Sequence, residues 1–284
     1  MSILDDLKKN AKEIAEGYEQ LKKLIGREGP EATIPKGVKT IGDYAFSNWH
    51  SLTTLTIPNS VTGIGNWAFN GCNSLATLTI PNSVISIGEY AFNDCYSLTN
   101  LAISNSVTYI SSFAFARCYV LEELALPNSV TYIGGDAFNG CNSLTTLTIP
   151  NSVTYIGVNA FNDCNSLTSL TIPNSVTYIG VNAFQDCYSL ASLIVPNSVT
   201  YIGVNAFSGC SALRDVTLEN GFNCNNLNLS WASLLTPNTL VSMLEALADR
   251  TGKTAYTLTI GTRNIDKLTA EQRAIATDKN WNLA

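Results

Sequence analysis

Charge is scarce in this chain: Asp, Glu, Lys and Arg make up 13% of 284 residues, against 45% that are apolar. A surface with so few charges has to be made of neutral polar groups, here Asn, Ser, Thr and Tyr. Histidine is scarcer still. His50 is the one imidazole, so any Ser-His-Asp or Cys-His centre would have to use it. Neither of its neighbours, Trp49 and Ser51, is a base or an orienting group, and it reads as a solvent-facing edge residue. The eight cysteines include no C-x-x-C pair, which removes the usual zinc-ligand spacing. No apolar run reaches the roughly 20 residues of a membrane-spanning helix. Asp5 and Asp6 stand where a secretory signal would be apolar. No enzyme, cofactor or metal is expected from this inventory, and no membrane span.

Basic residues are missing from the middle. From Leu52 to Leu213 there is one, Arg117, against seven acidic ones: Glu89, Asp94, Glu122, Glu123, Asp136, Asp163 and Asp186. The net charge of −6 therefore belongs to this stretch, since the flanks cancel. Such a surface offers nothing to a phosphate backbone, and nucleic acid is excluded as a partner.

What the sequence does contain is a period. Phenylalanine recurs at Phe46, Phe69, Phe92, Phe115, Phe138, Phe161, Phe184 and Phe207, each 23 residues from the last and each preceded by Ala. Columns of apolar residues keep the same step: Val38 to Val199, Ile41 to Ile202, Leu52 to Leu213 and Leu55 to Val216. Within one unit, Leu55 and Ile57 alternate as on one face of a strand, which Pro58 ends. Val61 and Ile64 flank a second extended piece. Gly65 suits a turn, and the Ala-Phe segment a short helical or 3₁₀ turn. A single unit buries too little to fold alone, so its stability has to come from stacked neighbours paired in a parallel sheet. The expected fold is an α/β repeat solenoid with eight coils over residues 30–218.

These residues resemble the BspA-like branch of the leucine-rich-repeat family, whose pattern is close to L-x-x-L-x-L-P-x-S-V-x-x-I-G-x-x-A-F-x-x-C. The resemblance covers about two-thirds of the chain, from Ala32 to Leu218. It implies a curved solenoid with a concave parallel sheet. It also implies a bacterial cell-surface or secreted protein associated with adhesion and binding to host proteins.

The flanks differ from the array. Leu4, Leu7, Ala11, Ile14, Tyr18, Leu21 and Ile25 make a heptad seam, so residues 1–29 are expected to form an amphipathic helix. That helix is either a cap on the first coil or a short coiled coil that joins copies into a homo-oligomer. Residues 219–284 lose the register. Pro237–Asp249 reads as a helix, Tyr256–Ile260 as a strand, and Thr269 to about Lys279 as a second helix ending before Trp281. Strand and helix in alternation fit an α/β carboxy-terminal cap of larger coils, or a small separate domain.

Several residue groups remain as candidates. Seven cysteines, Cys72 to Cys210, share one 23-residue column and read as buried free thiols. Asp163 and Asp186 share another slot, as a carboxylate pair or weak cation site. Slots such as Thr54, Thr56, Thr77 and Thr79 make a hydroxyl-rich exposed strand face. Tyr109, Tyr132, Tyr155, Tyr178 and Tyr201 form a stripe beside the buried isoleucines, suited either to packing on one another or to recognition of protein or sugar. The unit Ser104–Leu126 departs most from its siblings, with Ser104 for Pro, Ser111 for Gly, Arg117, and Val120 for Ser. In it Glu122 and Glu123, adjacent on a strand and expected to point to opposite sides, combine with Asn100 as a candidate polar contact patch. Two functions fit: a scaffold that recognises a protein or glycan on its surface, or a structural fibre component of a phage or cell-envelope appendage, oligomerised through residues 1–29.

Overall fold

The computed structural model describes residues 29–284, so the expected amino-terminal helix lies outside the described part apart from its last residue. From Pro30 onward the chain winds as a solenoid in which every strand pairing is parallel. Each coil has three sides. The first carries a three- or four-residue strand: β1 (Glu31–Thr33), β3 (Thr54–Thr56), β5 (Thr77–Thr79), β7 (Asn100–Ala102), β9 (Glu123–Ala125), β11 (Thr146–Thr148), β13 (Ser169–Thr171), β15 (Ser192–Val195) and β17 (Asp215–Leu218). The second carries a two-residue strand: β2 (Thr40–Ile41), β4 (Gly63–Ile64), β6 (Ser86–Ile87), β8 (Tyr109–Ile110), β10 (Tyr132–Ile133), β12 (Tyr155–Ile156), β14 (Tyr178–Ile179) and β16 (Tyr201–Ile202). The third is the Ala-Phe turn.

That turn is not helical, contrary to expectation, and its hydrogen bonds show why. A helix would use each backbone N–H within its own coil. Here alternate donors cross to the next coil: Asn182 N–H donates to Val204 O, Phe184 to Ala206 O and Asp186 to Ser208 O. The intervening donors, Ala183 and Gln185, close turns back to Gly180 O and Asn182 O. Sharing the donors in this way requires two left-handed residues per turn. In this coil they are Asn182 and Asp186, at φ 55° and 58°.

Inside, the phenylalanines stack along the axis with centroids 5.0–5.6 Å apart, and all are buried. The cysteines pack next to them. Each thiol from Cys72 to Cys210 donates to the carbonyl of the phenylalanine 26 residues earlier. All eight cysteines are free and buried, and burial pushes the Cys72 and Cys141 thiols up to about 12. They are packing groups with a weak hydrogen bond, not nucleophiles.

The glycine after each isoleucine also corrects an expectation. None from Gly65 to Gly203 has positive φ, so the turn does not select it. Close approach does, because a Cβ at Gly180 would lie 2.5 Å from the Gly157 carbonyl carbon. Ser111 is the one departure from this column after Gly42, and the stack loosens there. The first-side sheet stops between β7 and β9, and the second-side sheet between β6 and β8. The Ser111 hydroxyl donates to Ile87 O, where the neighbouring coils use a backbone N–H, as Gly134 does to Ile110 O. A further gap in the first-side sheet separates β11 from β13.

Beyond β17 the parallel winding persists with longer connections. Phe222 bridges Leu247 and Asn228 bridges Thr259. Helix α1 (Pro237–Ala246), capped by the Thr236 hydroxyl, packs on β17. It is shorter than expected, and Lys279 Nζ donates to carbonyls at its end, Leu244 and Leu247 among them. A strand β18 (Tyr256–Leu258), short helix α2 (Thr262–Ile265) and helix α3 (Ala270–Asp278) follow, the last with a Thr269–Gln272 capping box. The final strand β19 (Trp281–Leu283), not expected from the sequence, pairs with β18. Trp281 is buried against Tyr256, and the Arg250 guanidinium lies 3.3 Å from the Tyr256 ring centroid while donating to Thr254 O and Asn223 Oδ1.

Candidate recognition surfaces

The tyrosine stripe is a continuous stack. Strand pairing sets Tyr109, Tyr132, Tyr155, Tyr178 and Tyr201 side by side, with ring centroids 4.3–4.6 Å apart and planes within 12°. The alternation that buries each following isoleucine leaves each ring at the surface. Tyr109 and Tyr201, at the ends, are 44% and 37% exposed, and the three between them are half-buried. Burial within the stack raises the phenols of Tyr132, Tyr155 and Tyr178. The hydroxyls therefore stay neutral donors at the rim of an apolar strip. Beneath them Thr131, Thr154, Thr177 and Thr200 each donate to a carbonyl of the preceding coil, which fixes the strands that hold the rings.

Asn100, Glu122 and Glu123 are all exposed, on the two sides of the gap between β7 and β9. Asn100 pairs with Thr77 and Glu123 with Thr146. Glu122 precedes its strand and Glu123 opens it, and both meet solvent. No hydrogen bond joins the three side chains among the described residues. The Thr54, Thr56, Thr77 and Thr79 slots are exposed as expected. His50 is exposed, with Nδ1 2.9 Å from Gly71 O. Among the described residues no group of three or more His, Cys, Asp or Glu side chains converges as a metal would need.

The Asp163–Asp186 slot proves to be one of the left-handed turn positions, at φ 59° and 58°. Asp and Asn tolerate that conformation better than most residues. Burial and the Asp186 charge raise the Asp163 carboxyl.

A second aromatic array, not expected from the sequence, lies on the turn side. Tyr44, Trp67, Tyr90 and Phe113 occupy the other left-handed position of the turn, at φ 57–58°. They stack with centroids 5.9, 3.9 and 4.4 Å apart. From the next coil the slot holds Asp136, Asn159, Asn182 and Asn205. Beside this array lies a groove of about 800 Å³, lined by Trp67, Tyr90 and Phe113 on one side and Asp94, Arg117 and Tyr119 on another. The 23-residue spacing of the four aromatics was the available signal.

Comparison with known proteins followed the same lines. The model of the BspA type leucine rich repeat region matches residues 29–145 and 131–230, in six copies. The chain belongs to this leucine-rich-repeat family. Its structure is similar to a leucine-rich-repeat protein of T. pallidum, with 29% identity, a TM-score of 0.52, and 66% of this chain and 80% of that one covered. It is similar also to a leucine-rich-repeat protein of Eubacterium ventriosum (30% identity, TM-score 0.53), over 57% of this chain and 44% of that one. A leucine-rich cell surface protein of Faecalibacterium prausnitzii matches with 26% identity and a TM-score of 0.48 over 90% and 88% of the two chains. Comparison with curated proteins returned no match. Among the described residues no helix is long and apolar enough to cross a membrane.

Proposed function

We propose that the protein is a non-enzymatic recognition scaffold that binds a protein or glycan partner on the surface of its solenoid. The observation that carries this reading is the tyrosine ladder. Five amphipathic rings are held in one stack on paired strands, so little side-chain freedom is left to lose when a partner arrives. Tyrosine is also a residue type that concentrates binding energy at interfaces. Membership of a repeat family built to expose extended surfaces supports the same reading. Asn100, Glu122 and Glu123 form a second contact patch on the neighbouring side.

The test is capture on a glycan array and on immobilised extracellular proteins by the intact chain and by a Tyr132→Thr, Tyr155→Thr, Tyr178→Thr variant. Thr40 occupies the same slot in the first coil, so the variant keeps the fold. Its loss of a ligand that the intact chain retains supports the ladder, and equal capture of every retained ligand by both excludes it. Replacing Glu122 and Glu123 by Thr without loss of that ligand discards the second patch. The heptad seam of residues 1–29 favours the fibre reading. A trimer in light scattering that is lost on removing those residues would support that reading, and a monomer would oppose it.

A further inference from the structure

The groove on the turn side is built almost entirely by the most divergent coil and the coils next to it. Two replacements within the unit Ser104–Leu126 meet there, beside the ends of two aromatic columns. Ala116 stands in a column otherwise filled by Ser47, Asn70, Asn93, Asn139, Asn162, Gln185 and Ser208. It is buried and lines the groove, so the missing amide leaves a hollow floor. Arg117 replaces Asn, Gly or Asp in the left-handed column and reaches Asp94 at 3.5 Å. Phe113 and Tyr119 are the last members of two aromatic stacks. Tyr90 lies on Phe113 at 4.4 Å and Tyr96 on Tyr119 at 4.9 Å. On the following coil the same slots hold Asp136 and Asn142, so each terminal ring has one face without a ring partner. Phe113 is half-buried and Tyr119 is 38% exposed. Gly140, at φ 74°, adds no side chain to the space between them.

The placement of Phe113 is energetically uphill: it holds φ 57°, a left-handed position that a bulky side chain adopts at a cost, and the same slot is filled by Asn or Asp from Asp136 onward. Around the two free faces stand planar polar groups: the amides of Asn93, Asn139 and Asn142, the carboxylates of Asp94 and Asp163, and the Arg117 guanidinium.

We propose that this groove binds a neutral oligosaccharide, with the C–H face of a pyranose ring against Phe113 or Tyr119 and its vicinal hydroxyls bridged by the Asn, Asp and Arg side chains. The pairing of an apolar ring face with planar donors and acceptors is what an equatorial-hydroxyl sugar requires. Arg117 is already paired with Asp94, and Asp163 adds a further negative charge, so acidic glycans are repelled. The site lies on a different side of the coil from the tyrosine ladder. It extends the recognition reading without depending on that ladder.

The experiment uses the intact chain on an array of β-linked glucose and N-acetylglucosamine oligomers, with sialylated and sulfated glycans beside them, followed by calorimetric titration of the oligomer retained. The decisive variant is Phe113→Asn with Tyr119→Asn. Asn159, Asn182, Asn142 and Asn165 occupy these two slots in later coils, so the variant folds with an unchanged or higher melting temperature. Its affinity for the retained oligomer is expected to fall about tenfold or more, and Ala116→Asn, which refills the floor, is expected to do the same. The Tyr132, Tyr155, Tyr178 variant is expected to bind that oligomer as the unaltered chain does. The proposal is overturned if no neutral oligomer is retained at millimolar concentration, if acidic glycans are preferred, or if the folded Phe113→Asn, Tyr119→Asn variant binds undiminished. Loss of oligomer binding in the tyrosine-ladder variant alone would overturn the groove and favour the ladder.

Discussion

Gly180 has no room for a side chain, and the reason lies in the coil before it rather than in its own backbone angles. Its Cβ would stand 2.5 Å from a backbone carbon of Gly157, so Gly180→Ala has to push two coils apart. The expected loss is on the order of 3 kcal/mol in urea unfolding. Gly135→Ala meets Val158 O at 3.3 Å and Ser112 Oγ at 4.0 Å, and its cost is expected to stay below about 1 kcal/mol. Equal losses at the two positions would mean that inter-coil distance does not select the glycines. Asp163 gives a test in the pH dimension. Burial first, and Asp186 second, raise its carboxyl, so the folded chain holds that proton more tightly than the unfolded chain does. Ionisation therefore costs stability as pH rises through the folded value. Asp163→Asn is expected to raise the melting temperature near pH 7, with the gain vanishing near pH 3, where the acid is protonated in both states. A gain independent of pH would assign the effect to the left-handed backbone instead. Single residues such as these were partly legible in the sequence. The columns of Phe, Cys and Gly announced themselves by spacing, but spacing does not report φ, and the two left-handed slots of each turn came only with the coordinates.

At the level of the element, the three sides of a coil differ in how much of them sequence pattern could specify. The strand Thr54–Thr56 follows from alternation of exposed Thr with buried Leu, and the tyrosine stripe from its place before a buried Ile. The Ala-Phe turn did not follow, because its geometry depends on carbonyls supplied by the next coil, and local periodicity carries no information about those. The aromatic column Tyr44, Trp67, Tyr90 and Phe113 is visible by its spacing, but spacing alone does not place it in a left-handed slot of the turn. In the divergent unit Glu122 and Glu123 mark one side of the coil, while Phe113, Ala116, Arg117 and Tyr119 line the groove on another. The second-side sheet is interrupted where Ser111 stands in the glycine column, whereas the first-side sheet is interrupted there and again between β11 and β13, where Gly134 and Gly157 keep that column. Ser111→Gly is expected to restore a backbone hydrogen bond to Ile87 O and to add about 1 kcal/mol of stability, read from the urea midpoint. Slower amide exchange at Tyr109 and Ile110 should accompany it. A destabilised variant would show that the Ser111 hydroxyl, not the missing backbone bond, holds this junction together.

On the scale of the whole molecule, each coil is stabilised by its neighbours, and an open end is a liability. Val216 and Leu218 are buried on the last array strand, against which α1 packs. A chain ending at residue 218 is expected to lose several degrees of melting temperature and to aggregate, as read by scanning calorimetry and light scattering. Unchanged melting would mean that residues 219–284 are an independent unit. The solenoid as a class was legible from the eightfold repeat alone, and larger α/β coils after Leu218 were one of two arrangements that strand and helix in alternation suggested; β19 and α2 were not legible, because they occur once and have no period to reveal them. A rigid array of this kind presents its side-chain ladders in fixed register, which is the basis for reading the protein as a recognition scaffold. The measurement that tests this most directly is a titration of a ligand retained by the intact chain, other than the neutral oligosaccharide assigned to the turn-side groove, against that chain and its Tyr132→Thr, Tyr155→Thr, Tyr178→Thr variant. The account predicts that the variant melts within a few degrees of the unaltered chain and binds at least about tenfold more weakly. Equal affinity of the two folded chains would contradict it.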